Sequence, residues 1–157
     1  MKISLLTIGK TADKYLLEGL KIYEKRLQHY VNYSRKELPD VKNAKTLSTE
    51  QLKEQEGKII LQQVAETDEL FLLDENGQTF SSEKLAEFIK QKMLHSSKSL
   101  VFVVGGAYGF SDEVYKKAVE KISLSQLTFS HQMVRLIFTE QIYRAFTIIK
   151  GEPYHHK

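Results

Sequence analysis

The stretch LVFVVGGAYGF, residues 100–110, decides the fold class of this chain. Its first five residues, Leu100–Val104, form a continuous apolar run, which is typical of a strand that helices cover on both faces of a parallel sheet. A glycine turn at residues 105–109 follows at once. Ligands bind at this end of the strands in open α/β sheets, and glycine lets a backbone approach a ligand closely. A tight strand-to-helix turn without a ligand would use the same residues.

Strand-like and helix-like segments alternate on both sides of this stretch. The composition predicts strands at residues 2–8, 33–38 and 69–73, the third ending at a turn over residues 74–77, and a short strand at 124–129. Apolar spacing predicts helices over residues 12–30, 48–65, 82–94 and 132–150, with another helix starting at Ser111. This alternation predicts an α/β fold, a mostly parallel sheet with helices on both faces. No linker or repeat interrupts it, so we expect a single domain over residues 1–157.

Serine residues mark several of the helix starts. Ser48 has Gln51 three residues later, which is the pattern of a capping box. Either Ser81 or Ser82 can cap the next helix, and the last helix is expected to begin near Ser130.

The composition excludes several classes of site. The chain has no cysteine, which removes disulfides, thiolate catalysis and cysteine-based metal centres. Its five histidines show no metal-ligand spacing, so no metal site is expected. No secretory signal or membrane-spanning run is visible, and we expect a soluble cytoplasmic protein with no membrane partner. The net charge of +3 is only weak evidence for nucleic-acid binding.

Two segments together indicate a cofactor site. The glycine turn lacks the G-x-G-x-x-G order of dinucleotide-binding folds and the Gly-Lys-Ser/Thr of a P-loop, so a nicotinamide enzyme is disfavoured. The apolar-and-hydroxyl segment at residues 124–129 could supply turn hydroxyls only, but with the glycine turn it could hold an adenine between apolar walls. The basic aromatic tail at residues 151–157 suits a phosphate-bearing partner. This combination favours a cofactor-using enzyme that acts on nucleic acid.

The last helix is apolar over more than half of its circumference. Such a helix is either deeply buried or shared with a partner chain, and we favour a subunit interface. The tail that follows is either a frayed terminus or a docked functional arm.

Seven stretches, in this order along the whole chain, closely resemble the RlmH family of ribosomal large-subunit pseudouridine N3-methyltransferases, of the SPOUT class. They are GK at residues 9–10, YEKRL at 23–27, EQEG at 54–57, FVVGG at 102–106, LTFSHQMVR at 127–135, EQIYRA at 140–145 and GEPYH at 151–155.

The resemblance implies more than the residues themselves show. It implies a SPOUT-type α/β fold whose C-terminal part forms a trefoil knot, a feature that ordinary connection rules do not predict. It implies a homodimer that methylates N3 of a pseudouridine in 23S rRNA within the assembled ribosome. The cofactor would be S-adenosylmethionine, and the resemblance places it against Leu73, Gly105, Leu124, Ser125, Gln126, Leu127, Thr128 and Phe129.

The same resemblance, with general chemistry, suggests catalytic residues. The acceptor nitrogen of pseudouridine must lose a proton, and our hypothesis is that His131 or His155 assists its removal. Arg135, Arg144 and Tyr154 would hold phosphate and base, because arginine contacts phosphate bidentately and tyrosine stacks on unpaired bases.

Two details depart from the family pattern. Ser130 stands where relatives commonly have proline, and His155 is followed by a second histidine; we assign the tail role to His155.

Two alternatives remain at this point. One is a non-catalytic protein that binds RNA or the ribosome through the same tail. The other is a SPOUT enzyme that modifies ribose or guanine in tRNA.

Overall fold

The computed structural model describes residues 1–156 and contains a five-stranded sheet in the order β2-β1-β4-β3-β5. All four strand pairs are parallel, which confirms the predicted α/β class. The strands are β1 Lys2–Ile8, β2 Asn32–Leu38, β3 Glu69–Thr79, β4 Leu100–Val104 and β5 Glu120–Ser123. The helices are α1 Lys14–Leu27, α2 Thr49–Leu61, α3 Ser82–His95, α4 Asp112–Lys117 and α5 His131–Lys150, with one 3-10 turn at Ala44–Thr46.

Helices cover both faces of the sheet, and strand β4 shows why its sequence is wholly apolar. Side chains alternate between the two faces along a strand. Phe102 packs with Phe138 and Ile142 of α5 in one core cluster. Val103, its neighbour, packs with Ile60 of α2 in the other cluster, on the opposite face. Each position on β4 is therefore buried, as the continuous apolar run predicts.

The serine caps are confirmed. Ser48 and Gln51 form both hydrogen bonds of the capping box. Ser81, rather than Ser82, caps α3. Ser130 caps α5 by accepting a hydrogen bond of 3.1 Å from the backbone N–H of Met133. Serine thus supplies the start of the last helix with a side-chain acceptor that proline would lack.

Two predictions about strands are wrong. β3 does not end at the turn-like residues 74–77; it continues to Thr79, with a register shift against β5 between Leu73 and Gln78. Gly77 makes this possible, because a Cβ there would lie 2.6 Å from the backbone nitrogen of Ile122. The predicted strand at 124–129 is also wrong, since the strand is β5 and residues 124–129 form a loop after it.

The helices predicted over residues 12–30 and 48–65 are shorter, at 14–27 and 49–61. The trefoil knot and the single domain stay predictions.

Among residues 1–156, no helix combines the length and apolarity needed to cross a membrane.

Candidate active site

A cavity of about 590 Å³ lies at the carboxyl edge of the sheet. Its walls come from residues 73–76 within β3, the glycine turn after β4, the end of β5 with the loop that follows it, and the first turn of α5. These segments are distant in sequence, but parallel strands bring their carboxyl ends to one edge. Cavities of roughly 300–1,000 Å³ are the usual size for small-molecule and cofactor sites.

The glycine turn after β4 is packed so closely that side chains would not fit. A Cβ on Gly105 would lie 2.9 Å from the ring of Phe110, and a Cβ on Gly106 would lie 2.5 Å from a carboxylate oxygen of Glu56. Gly109 has a φ of +83°, which L residues with a side chain rarely adopt. At its three glycines the turn therefore presents only backbone to the cavity.

The loop after β5 is shaped by serine side chains. Ser123 Oγ donates to the carbonyl oxygen of Ser125 at 2.9 Å, and the backbone N–H of Leu127 donates to Ser125 Oγ at 2.9 Å. Such local bonds offer the backbone an alternative to a sheet ladder, which explains why the segment is a loop. Seven of the eight predicted cofactor residues line the cavity: Leu73, Gly105, Leu124, Ser125, Leu127, Thr128 and Phe129. Gln126 does not line it.

The charged groups of the cavity are acidic. Among the described residues its lining includes the carboxylates of Asp74 and Glu75 but no lysine or arginine. Tyr115 donates to Asp74 Oδ2 at 2.7 Å, and burial together with this bond raises the pKa of Tyr115 to about 12. The cavity thus favours a ligand that carries positive charge. Sequence reasoning missed Asp74, although it directly follows the predicted apolar strand, because residues 74–77 were interpreted as a turn.

His131 and Arg135 lie one turn apart on α5 but have different surroundings. His131 is the first residue of the helix and lines the cavity. Arg135 is only 1% exposed and does not line it. Its guanidinium donates to the carbonyl oxygens of Ile8 at 2.8 Å and Gly9 at 2.9 Å, and burial lowers its pKa. Arg135 therefore joins α5 to the end of β1.

The tail is docked against α5, and it lies outside the cavity lining. Tyr154 donates to Glu140 at 2.9 Å, and the guanidinium of Arg144 lies 4.8 Å from the centre of the Tyr154 ring. Burial, together with the contacts of its hydroxyl with Tyr23 and Glu140, raises the pKa of Tyr154. His155 lies 3.2 Å from Arg144 through Nδ1 and 3.1 Å from Glu83 through Nε2. Within one chain, the structure does not bring the tail to His131. Lys157, the last residue of the predicted tail, lies outside the described residues.

The chain is similar to known proteins along its whole length. Residues 1–155 match the family model described as a predicted SPOUT methyltransferase. A protein of Christiangramia forsetii named ribosomal RNA large subunit methyltransferase H is 56% identical over 157 residues, covering all of both chains. Proteins of the same name from Flavobacterium psychrophilum and Bacteroides thetaiotaomicron are 55% and 47% identical, again over all of both chains.

A solved structure has the same fold. It is titled a probable methylase family protein from Haemophilus influenzae Rd KW20, and it aligns with a TM-score of 0.56 at 9% identity. The alignment covers 99% of this chain and 70% of that chain. At this identity the likeness supports the fold alone.

Proposed function

The chain belongs to the SPOUT methyltransferase family, and on that premise we propose that it methylates N3 of a pseudouridine in 23S rRNA of the assembled ribosome. The protein is a methyltransferase, and its methyl donor is S-adenosylmethionine, as in its family. Large-subunit ribosomal RNA is the substrate named for its relatives. The observation that carries the proposal is that seven of the eight residues expected to hold the cofactor line one cavity.

The cavity fits S-adenosylmethionine in size, charge and donor chemistry. The cofactor supplies an electrophilic methyl group on a positively charged sulfur when bound. Asp74 and Glu75 suit that charge and the cofactor's ammonium group. Leu124 and Phe129 offer apolar walls for adenine, and the backbone around Gly105 offers hydrogen-bonding groups beside them. We propose these residues, with the rest of the predicted set, as the cofactor site.

His131 is the residue best placed to assist proton removal. It lines the cavity, and the Ser130 cap fixes the helix end that carries it. An imidazole can accept a proton near neutral pH, which the acceptor nitrogen requires before it attacks the methyl group. Methyl transfer is an in-line displacement, so the protein otherwise contributes alignment. Arg135 is proposed as a positioning residue, because its buried guanidinium is occupied by the end of β1.

The tail is proposed to act in the cavity of a partner subunit. Tyr154 and His155 do not line the cavity of their own chain, yet they are held in a defined place on α5. Met133, Leu136 and Ile137 of α5 are half-buried apolar side chains, which a second copy could cover. A homodimer in which each tail completes the other site accounts for both features. Its location would be the cytoplasm, where ribosomes are.

The test is methylation with labelled S-adenosylmethionine of ribosomes, isolated subunits and free rRNA, followed by mass spectrometry of nucleosides. We expect methylpseudouridine in 23S rRNA, with label confined to assembled ribosomes. Label in tRNA, or binding to ribosomes without any methyl transfer, would contradict the proposal.

The catalytic roles are tested by His131→Ala and His155→Ala, with His29→Ala as the control because His29 is exposed and lies outside the cavity lining. Each of the first two variants should be weakly active alone. A mixture of the two should recover activity, because one mixed dimer site then has both histidines. Full turnover and an unchanged pH profile in both variants would refute the base assignment. Failure of the mixture to recover would refute the shared site.

A further inference from the structure

We infer that Glu56 is a positioning residue for the cofactor, holding the glycine turn in its binding shape from the side opposite the cavity. This inference rests on the proposed cofactor site. Glu56 lies on α2 and is 8% exposed, although carboxylates are rarely buried without a partner. Neither the cavity lining nor the catalytic roles proposed above include it.

The contacts of Glu56 are directed at the turn. The backbone N–H of Gly106 donates to its carboxylate, and a Cβ on Gly106 would lie 2.5 Å from one carboxylate oxygen and 2.7 Å from the other. No lysine, arginine or histidine among residues 1–156 forms an ion pair with Glu56. A charge that does act on it is that of another carboxylate, Asp40. Burial and this neighbour raise the pKa of Glu56. The carboxylate is thus buried at a cost, with a backbone N–H of the cofactor turn as its donor.

The next residue of α2 contacts the other end of the same segment. A Cβ on Gly57 would lie 2.5 Å from Ser111 Oγ, and Ser111 is the cap of α4. Residues 56 and 57 therefore lie against both ends of the segment 106–111, whose first five residues line the cavity. Ile60 packs α2 against the sheet, so the position of α2 is fixed. Its contacts with residues 106 and 111 therefore limit how far the turn can move.

The physical consequence is a cofactor affinity that depends on the acceptor at position 56. Without it, the N–H of the half-buried Gly106 loses its hydrogen-bond partner, and the turn gains alternative conformations that do not bind the cofactor. Binding then carries the cost of restoring one conformation. Because this turn belongs to the proposed cofactor site, the effect should fall on cofactor binding.

The experiment measures S-adenosylmethionine and S-adenosylhomocysteine binding by calorimetry, and steady-state methylation, for the wild type and three variants. Glu56→Ala should weaken the binding of S-adenosylmethionine and of S-adenosylhomocysteine, and should raise KM for S-adenosylmethionine about tenfold. This is the effect expected when one donor, the N–H of Gly106, loses its partner. Its kcat and its KM for ribosomes should stay within about threefold, since this loss concerns ground-state binding of one substrate. Glu56→Gln keeps an oxygen acceptor and should remain within about threefold of the wild type. Glu54→Ala is the control, because Glu54 is exposed on the same helix.

A second measurement tests the same contact from the turn, and its single variant, Gly106→Ala, does not depend on how well Glu56→Ala folds; wild-type affinity in Gly106→Ala would also overturn the inference. Gly106→Ala should weaken cofactor binding because its methyl group meets the Glu56 carboxylate. In the Glu56→Ala background that obstacle is absent, so the double variant should bind more tightly than the sum of the two effects predicts. Additive losses, unchanged affinity in Glu56→Ala, or a Glu56→Gln variant as weak as Glu56→Ala would each overturn the inference. If the wild type binds the cofactor but methylates no ribosomal RNA, the proposed substrate fails while the role of Glu56 stands.

Discussion

Replacing Arg135 with alanine separates a structural role for this side chain from a role in RNA binding. Its guanidinium donates to Ile8 O, Gly9 O and Thr11 Oγ1 at 2.8, 2.9 and 3.0 Å. It also lies 3.6 Å from the carboxylate of Glu37. All these contacts join α5 to the ends of β1 and β2, so the substitution should act first on the free energy of unfolding.

The expected loss can be worked from those contacts. Removing one partner of a buried ion pair costs about 3–5 kcal/mol. Glu37 is partly exposed and keeps its hydrogen bonds from Arg35 and from the backbone N–H of Thr11, so we take the lower end, about 3 kcal/mol. With a denaturant dependence of about 2 kcal/mol per molar urea, the unfolding midpoint should fall by about 1.5 M.

The assay is urea unfolding followed by circular dichroism, with methylation measured on the same samples. Arg135→Lys should fall between the wild type and Arg135→Ala, because lysine keeps the charge but lacks the planar fork that reaches several acceptors. Arg26→Ala is the control, since Arg26 is exposed and its guanidinium lies over the rings of Tyr23 and Tyr143, an interaction worth about 0.5–1 kcal/mol. An Arg135→Ala protein with an unchanged midpoint but no methylation would refute this reasoning and restore the hypothesis that Arg135 holds RNA phosphate.

Three further predictions concern the glycine turn, a buried carboxyl and a helix cap. Gly105→Ala should weaken cofactor binding by calorimetry about tenfold or more, because its Cβ would lie 2.9 Å from Phe110 and the turn must shift. Glu56→Gln should change the pH dependence of the free energy of unfolding. Because the pKa of Glu56 is raised in the native state, the native state binds this proton more tightly than the unfolded state does. The contribution of Glu56 to wild-type stability is therefore lost as the pH rises from about 4.5 to the raised pKa, and the variant lacks this contribution. Ser48→Ala removes the acceptor for Gln51 and should cost about 1 kcal/mol in urea unfolding.

Each of these has a contradicting result. Wild-type affinity in Gly105→Ala would mean that the turn does not contact the cofactor. Equal pH dependence in the wild type and Glu56→Gln would mean that burial does not perturb this carboxyl. An unchanged urea midpoint for Ser48→Ala would show that water replaces the cap at no cost.

The sequence determined the parts of this protein that depend on local chemistry and periodicity. A run of five apolar residues followed by glycines predicted β4 and the glycine turn, and serine followed by glutamine predicted the capping box of α2. The motifs of the chain also carried the family resemblance, and with it seven residues that line the cavity. Each of these signals lies within a few neighbouring positions, where spacing and residue type suffice.

Tertiary structure decided what depends on distant neighbours. Residues 74–77 have the composition of a turn, yet they belong to β3, which pairs with β5. The pairing fits because Gly77 has no Cβ to collide with the backbone of Ile122. Arg135 has the sequence character of a phosphate ligand, but packing places its guanidinium on the end of β1, more than a hundred residues away in sequence. Glu56 resembles a solvated helix residue until α2 is placed against the glycine turn. In all three cases the deciding contacts come from other elements of the fold: a close backbone neighbour for Gly77, and for Arg135 and Glu56 the partners that exclude water from a charged group.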